Sequence, residues 1–132
     1  MTRTIIAMLL ALWATAPAAQ EQITPDAFLD LALGRTLSFT TLNSGLLVGE
    51  EQFLRRDLSV WADETGRCTY GRIEQRGPLI CFLYEDFPQP DNCWVPFLDK
   101  GTLLVLSQTT REVQRISDIS DTPITCEGAP TS

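Results

Sequence analysis

The chain has 132 residues, with 10 Lys/Arg, 17 Asp/Glu and no histidine, for a formal charge of −7. That length allows one small domain, and the acidic balance disfavours nucleic acid as a partner. Without imidazole, Ser-His-Asp and Cys-His nucleophile systems and the usual metalloenzyme shell are excluded, and the cysteines lack the close C-x2-C pairs of zinc sites, so a non-enzymatic role without metal or cofactor is expected.

At the N-terminus Arg3 precedes an apolar run from Ile5 to Ala14, followed by "TAPAAQ". A positive start, a short apolar stretch and a small-residue exit predict a signal peptide over 1–18, cleaved after Ala18. The run falls short of the roughly 20 apolar residues that a spanning helix needs. Export to the periplasm or outside the cell follows, with a single domain over 19–132. No Lys/Arg cluster offers a patch for anionic lipid, Arg55–Arg56 being the longest basic run.

A short helix is predicted next. Thr24 is a good N-cap, Pro25 suits the first helical position and Asp26 complements the helix dipole. Phe28, Leu29, Leu31, Ala32 and Leu33 form an apolar side, and Gly34 ends the helix.

From there the period becomes alternating, with β-branched and aromatic segments separated by Gly, Asn, Asp and Pro. Strands are predicted over 35–41, 46–54, 58–63, 67–75, 78–85, 93–99, 102–108 and 112–119, joined by short turns. The fold class is therefore mainly all-β, a short helix followed by an antiparallel up-and-down meander of about eight strands. Closing such a meander into a small barrel removes its exposed edges; a two-sheet sandwich is the competing arrangement. The tail from Asp121 reads as irregular, anchored at Cys126.

The order of a short helix and then a meander opening on a glycine resembles the calycin superfamily, the lipocalins and their relatives. Where lipocalins carry G-x-W, this chain has Gly34, Arg35 and Thr36. The segments "LGRTLSF", "GRCTYGRIEQRGPLICFLYED" and the later "CW" are similar to a group of small exported bacterial proteins without an assigned activity. That resemblance covers roughly Leu33 to Phe97 and implies a secreted barrel-like domain with a stapled hairpin. It departs at Arg72-Ile73, where an aromatic is expected after "YG".

All four cysteines lie in the exported part, which points to two disulfides with three possible pairings. A bend centred on Phe87 sets Cys81 and Cys93 opposite each other across a hairpin, close enough to bond. Cys68 and Cys126 then pair by elimination. No C-x-x-C redox pattern is present.

Three groups of residues remain as candidate sites. Trp61, Tyr70, Phe82, Tyr84, Trp94 and Phe97 cluster in the central strands and suit either a ligand pocket or a filled core. Of Glu50 and Glu51, adjacent on one strand, one faces inward, where it could meet an inward Arg72; alternatively both sit wet at a rim. The ligand-binding set is thus Glu51, Trp61, Tyr70, Arg72, Tyr84 and Trp94. Third, the acidic, proline-stiffened bend with Asp86, Phe87, Pro88 and Asp91 is a candidate contact for another exported protein. Two functions follow: a barrel holding a small apolar or amphipathic ligand, or an interaction or inhibitor module presenting the 85–92 bend.

Overall fold

In the computed structural model, residues 20–127 are described; the predicted signal peptide lies outside them. The elements run β1 (Glu21–Gln22), α1 (Pro25–Ala32), β2 (Thr36–Thr41), β3 (Leu47–Arg55), β4 (Leu58–Asp63), β5 (Cys68–Arg76), β6 (Leu79–Tyr84), β7 (Cys93–Asp99), β8 (Thr102–Ser107) and β9 (Val113–Ser120). Each predicted strand is present with ends shifted by at most one residue.

Every strand pair is antiparallel, and β2 to β9 follow one another around the sheet. The last strand returns to the first: β9 pairs with β2 from Thr36↔Ser120 to Thr41↔Gln114. The meander is therefore a closed eight-stranded barrel and the sandwich alternative falls away. Of three bulges in the barrel, two flank β2, one between Ser38 and Phe39 against β9 and one between Phe39 and Thr40 against β3; the third lies between Phe53 and Arg55 against β4. The second leaves Val48 as the extra residue, which turns it toward the interior.

One junction is incomplete. β6 and β7 share only Ile80↔Trp94 and Cys81↔Cys93. β1 occupies the same edge of β7 further along, at Glu21↔Leu98 and Gln22↔Phe97, and the Ile23 N–H continues it onto the Pro96 carbonyl. A two-residue strand has no periodicity, so sequence alone does not reveal it; the free stretch of β7 edge creates it.

From that junction α1 crosses one end of the barrel. The Ala27 N–H donates to Thr24 Oγ1 at 3.1 Å, and Pro25 opens the helix as predicted. The helix is one residue shorter than expected, because Leu33 already leaves helical geometry. Gly34, at φ 73°, then turns the chain so that its N–H donates to the Phe53 carbonyl. Phe28, Leu29 and Ala32 are buried and plug this end. Outside, Arg56 of the β3–β4 turn reaches Asp30 at 2.7 Å and Asp26 at 2.9 Å. Hydrogen bonds from Gln75 and then Arg56 hold the Asp26 carboxyl below its ordinary range.

The tail straps the outer face. Thr36 Oγ donates to the Thr122 carbonyl at 2.7 Å, the Ile124 N–H to Gln52 Oε1 at 3.0 Å, and the Glu127 N–H to the Gly66 carbonyl at 2.9 Å. Cys126 is bonded to Cys68, with 5.5 Å between Cα atoms. Gln52 and Cys68 are the cross-strand partners of Val60 and Ala62. This strap accounts for the burial of Val60 and Ala62 on a face that would otherwise be wet. Cys81 and Cys93, cross-strand partners as predicted, form the second bond. Two disulfides fit an oxidising compartment, and no helix among the described residues is long and apolar enough to cross a membrane.

The Cys68–Cys126 bond closes a segment of 58 residues and Cys81–Cys93 one of 12. Chain entropy values these at roughly 4 and roughly 3 kcal/mol. Serine replacement of both Cys68 and Cys126 should therefore lower stability more than replacement of Cys81 and Cys93, as urea unfolding would measure. The opposite order would mean that the strap contributes little.

Candidate functional site

Closure assigns each strand an inner and an outer face. On β3 the inward residues include Glu51 and Phe53; on β4, Ser59 and Trp61; on β5, Thr69, Gly71 and Ile73; on β6, Ile80, Phe82 and Tyr84. Near α1 this interior is solid. Phe28 packs edge-on to Phe53 with ring centroids 5.9 Å apart, and Phe53 packs likewise against Phe82 at 6.1 Å.

Toward the other end the packing opens into a cavity of about 330 Å³. Its floor is Phe28 and its walls include Phe39, Trp61, Phe82, Tyr84, Trp94 and Val105. Phe87, Gln89 and Asn92 of the β6–β7 bend lie along its mouth. Phe82 and Tyr84 are stacked, and Trp61 tilts toward Tyr84 with 6.4 Å between centroids. Asn92 fixes the rim: its Nδ2 donates to the Phe82 carbonyl, and its Oδ1 accepts from Trp94 Nε1 at 2.9 Å.

Within these apolar walls sits one carboxyl. Glu51 is only 1 % exposed, and its Oε2 accepts from the Tyr84 hydroxyl at 2.6 Å. Small residues make that bond possible. Tyr84 lies opposite Gly71 on β5, which lies opposite Ser59 on β4. A Cβ on Gly71 would stand 2.8 Å from the Tyr84 ring. With no side chain there, the ring lies across β5 and its hydroxyl reaches β3. Gly49 serves Trp61 in the same way, since a Cβ at that position would overlap the indole.

The other oxygen, Glu51 Oε1, has no hydrogen-bond partner. Ser59 stands close by, but its hydroxyl donates to the Gly71 carbonyl at 3.5 Å. Burial pushes the Glu51 carboxyl up to about 7, against the lowering influence of Ser59 and Tyr84. The Tyr84 hydroxyl is raised well above its ordinary value, by burial first and then by the neighbouring carboxylate. Glu50, one residue earlier, faces outward and accepts from Ser38 Oγ at 3.2 Å.

The cavity brings together Glu51, Trp61, Tyr84 and Trp94 of the sequence-derived set. It does not include Tyr70 or Arg72. Both point outward because they alternate with the inward Thr69, Gly71 and Ile73, and Tyr70 is 51 % exposed. Arg72 pairs on the surface with Glu74 at 3.0 Å, so it does not meet Glu51, and the burial of Glu51 also overturns the alternative of two wet carboxylates at a rim. Phe97 is also outward, on the face of β7 that carries Cys93. Phe28, Asn92 and Gln114 line the cavity without having been singled out, since a helix core residue and two amides carry no local signal of a pocket.

The bend with Asp86, Phe87, Pro88 and Asp91 is exposed but tethered. The Asp86 N–H donates to Thr69 Oγ1 at 3.3 Å, Arg76 donates to the Pro90 carbonyl, and Thr109 Oγ1 donates to the Asp91 carbonyl at 3.0 Å. Comparison with protein families, curated proteins and solved structures returns no match to this chain.

Two outcomes follow from this geometry. Glu51 rises from 4.5 to about 7 on folding, so the native state holds its proton more tightly than the unfolded chain. Its cost is absent below pH 4.5, grows as pH rises toward 7, and stays constant above, reaching about 3 kcal/mol. The stability of Glu51→Gln relative to wild type should therefore rise by that order between pH 4.5 and pH 8. Parallel pH profiles in urea unfolding would contradict it. Separately, Gly71→Ala should cost ~1–3 kcal/mol by forcing the Tyr84 ring aside, and an unchanged melting temperature would refute that.

Proposed function

We propose that this protein is an exported barrel that holds a small, mostly apolar ligand with one polar group directed at Glu51. The observation that carries this reading is the buried, unpartnered Glu51 Oε1 in an aromatic-walled cavity of about 330 Å³. Such cavities, apolar with a few placed polar groups, are the usual form of small-molecule sites. An eight-stranded antiparallel barrel behind a short helix also agrees, as topology, with the calycin resemblance. The leader over 1–18 and the two disulfides support export.

A second reading rests on Phe87, which is 62 % exposed on the acidic bend. An exposed aromatic on a tethered loop suits contact with another exported protein. The cavity supports the first reading more strongly, because Phe87 also lines its mouth.

Titration with a panel of small apolar alcohols, acids and amines should give saturable changes in Trp61 and Trp94 fluorescence. Val105→Phe, which places a ring inside the cavity, should weaken calorimetric binding at least about tenfold, the low end of what one methylene is worth in an apolar pocket. A flat response to the panel, or binding indifferent to Val105→Phe, would remove the ligand reading. A partner captured equally by wild type and by a bend-deleted variant would remove the second.

A further inference from the structure

The cavity chemistry narrows the ligand class. Resting on the ligand-binding reading above, the geometry points to an amphiphile with a single protonated amine, its ammonium group on Glu51 Oε1 beside the Trp61 and Tyr84 rings.

Glu51 Oε1 lacks a hydrogen-bond partner. It is a buried acceptor without a donor: the Tyr84 hydroxyl is spent on Oε2, and that of the nearby Ser59 donates to the Gly71 carbonyl. A ligand that completes the ionised carboxylate must therefore bring a donor. Next is the missing countercharge. Glu51 is faced by Leu37 from β2, by Ser59 and Trp61 from β4, by Gly71 from β5 and by Tyr84 from β6. Tyr84 is the only other titratable group among them, and it carries no positive charge. Arg72 and Arg76 lie on the same strand as Gly71, yet both are engaged on the surface by Glu74. An ionised Glu51 thus has no cation inside the barrel among the described residues, and a ligand ammonium would supply one.

The surroundings suit a cation as well. Trp61 and Tyr84 flank the carboxyl, and aromatic faces attract ammonium groups, the more so when water is excluded. A neutral hydroxyl would satisfy the hydrogen bond but leave the buried charge uncompensated. A carboxylate ligand would meet like charge. Size sets the rest: the cavity, at about 330 Å³, is about twice the ~150 Å³ that holds one benzene ring. The apolar body is therefore on the scale of one ring with an alkyl arm, or two small rings, extending toward Phe87.

Three probes of one shape test the assignment: 2-phenylethylammonium, 2-phenylethanol and 3-phenylpropanoate, titrated calorimetrically into the disulfide-bonded protein. At pH 8 the ammonium should bind at least about tenfold more tightly than the alcohol, as expected for a desolvated charge pair. Because it pairs with ionised Glu51, which protonates near 7, its affinity should fall roughly 100-fold between pH 8 and pH 5. The alcohol should change little over that range. Glu51→Gln should bring the affinity for the ammonium to within about threefold of that for the alcohol at pH 8, and an undiminished preference of about tenfold would overturn the assignment. If the alcohol or the carboxylate binds as tightly as the ammonium at pH 8, the amine assignment is overturned and the ligand cavity stands. If none of the three binds, the cavity reading fails and the assignment with it. Should Glu51→Gln not fold, the wild-type pH series decides alone: affinity for the ammonium that is flat with pH overturns the assignment.

Discussion

Pairing of β9 with β2 is the contact from which the rest of the structure follows. A strand presents alternate residues to opposite faces, so closing the sheet commits every strand to one inner set and one outer set. Once Thr36–Thr41 and Val113–Ser120 are zipped together, Glu51 goes inside and Glu50 outside, Gly71 inside and Arg72 outside. A slip of one residue on β5 would exchange Arg72 for Gly71 and put a guanidinium where the Tyr84 ring now lies. Bulges break this alternation locally, and the one at Val48 adds an apolar side chain to the cavity wall.

An interior of this size can be filled by side chains or hold one small molecule, and this barrel does both along its axis. α1 and the interlocked Phe28, Phe53 and Phe82 rings make one end solid. At the far end lies the cavity, walled in part by the Trp61 and Tyr84 rings that occupy the space left by Gly49 and Gly71, with the bend from Glu85 to Asn92 arching along its mouth. Tethers to Thr69, Arg76 and Thr109 hold that arch in place.

Glu51 runs against the rules of a stable core. A carboxyl with 1 % exposure and one unpartnered oxygen destabilises the fold whenever it is ionised. Natural sequences break such rules mainly where function needs it. The small residues that let Tyr84 reach Glu51 show the carboxyl to be built into its surroundings: Gly71 and Ser59 together open the path that a single larger side chain would block.

Much of the fold was legible in the sequence, because local chemistry decides it. Thr24-Pro25 begins the helix, Gly34 ends it, and the alternating runs mark the eight strands of the barrel. The equal spacing of Cys81 and Cys93 about Phe87 specifies their pairing. Alternation also required that only one of Glu50 and Glu51 could face a barrel interior. Which one was not legible, nor was the outward direction of Tyr70 and Arg72, because parity within a strand is known only after its neighbours are in register. β1 and the outer-face burial of Val60 and Ala62 likewise depend on segments far apart in the chain. The cavity belongs to the tertiary structure for the same reason: its floor comes from α1, its walls from seven strands and its rim from one bend, and only their packing leaves the space between them empty.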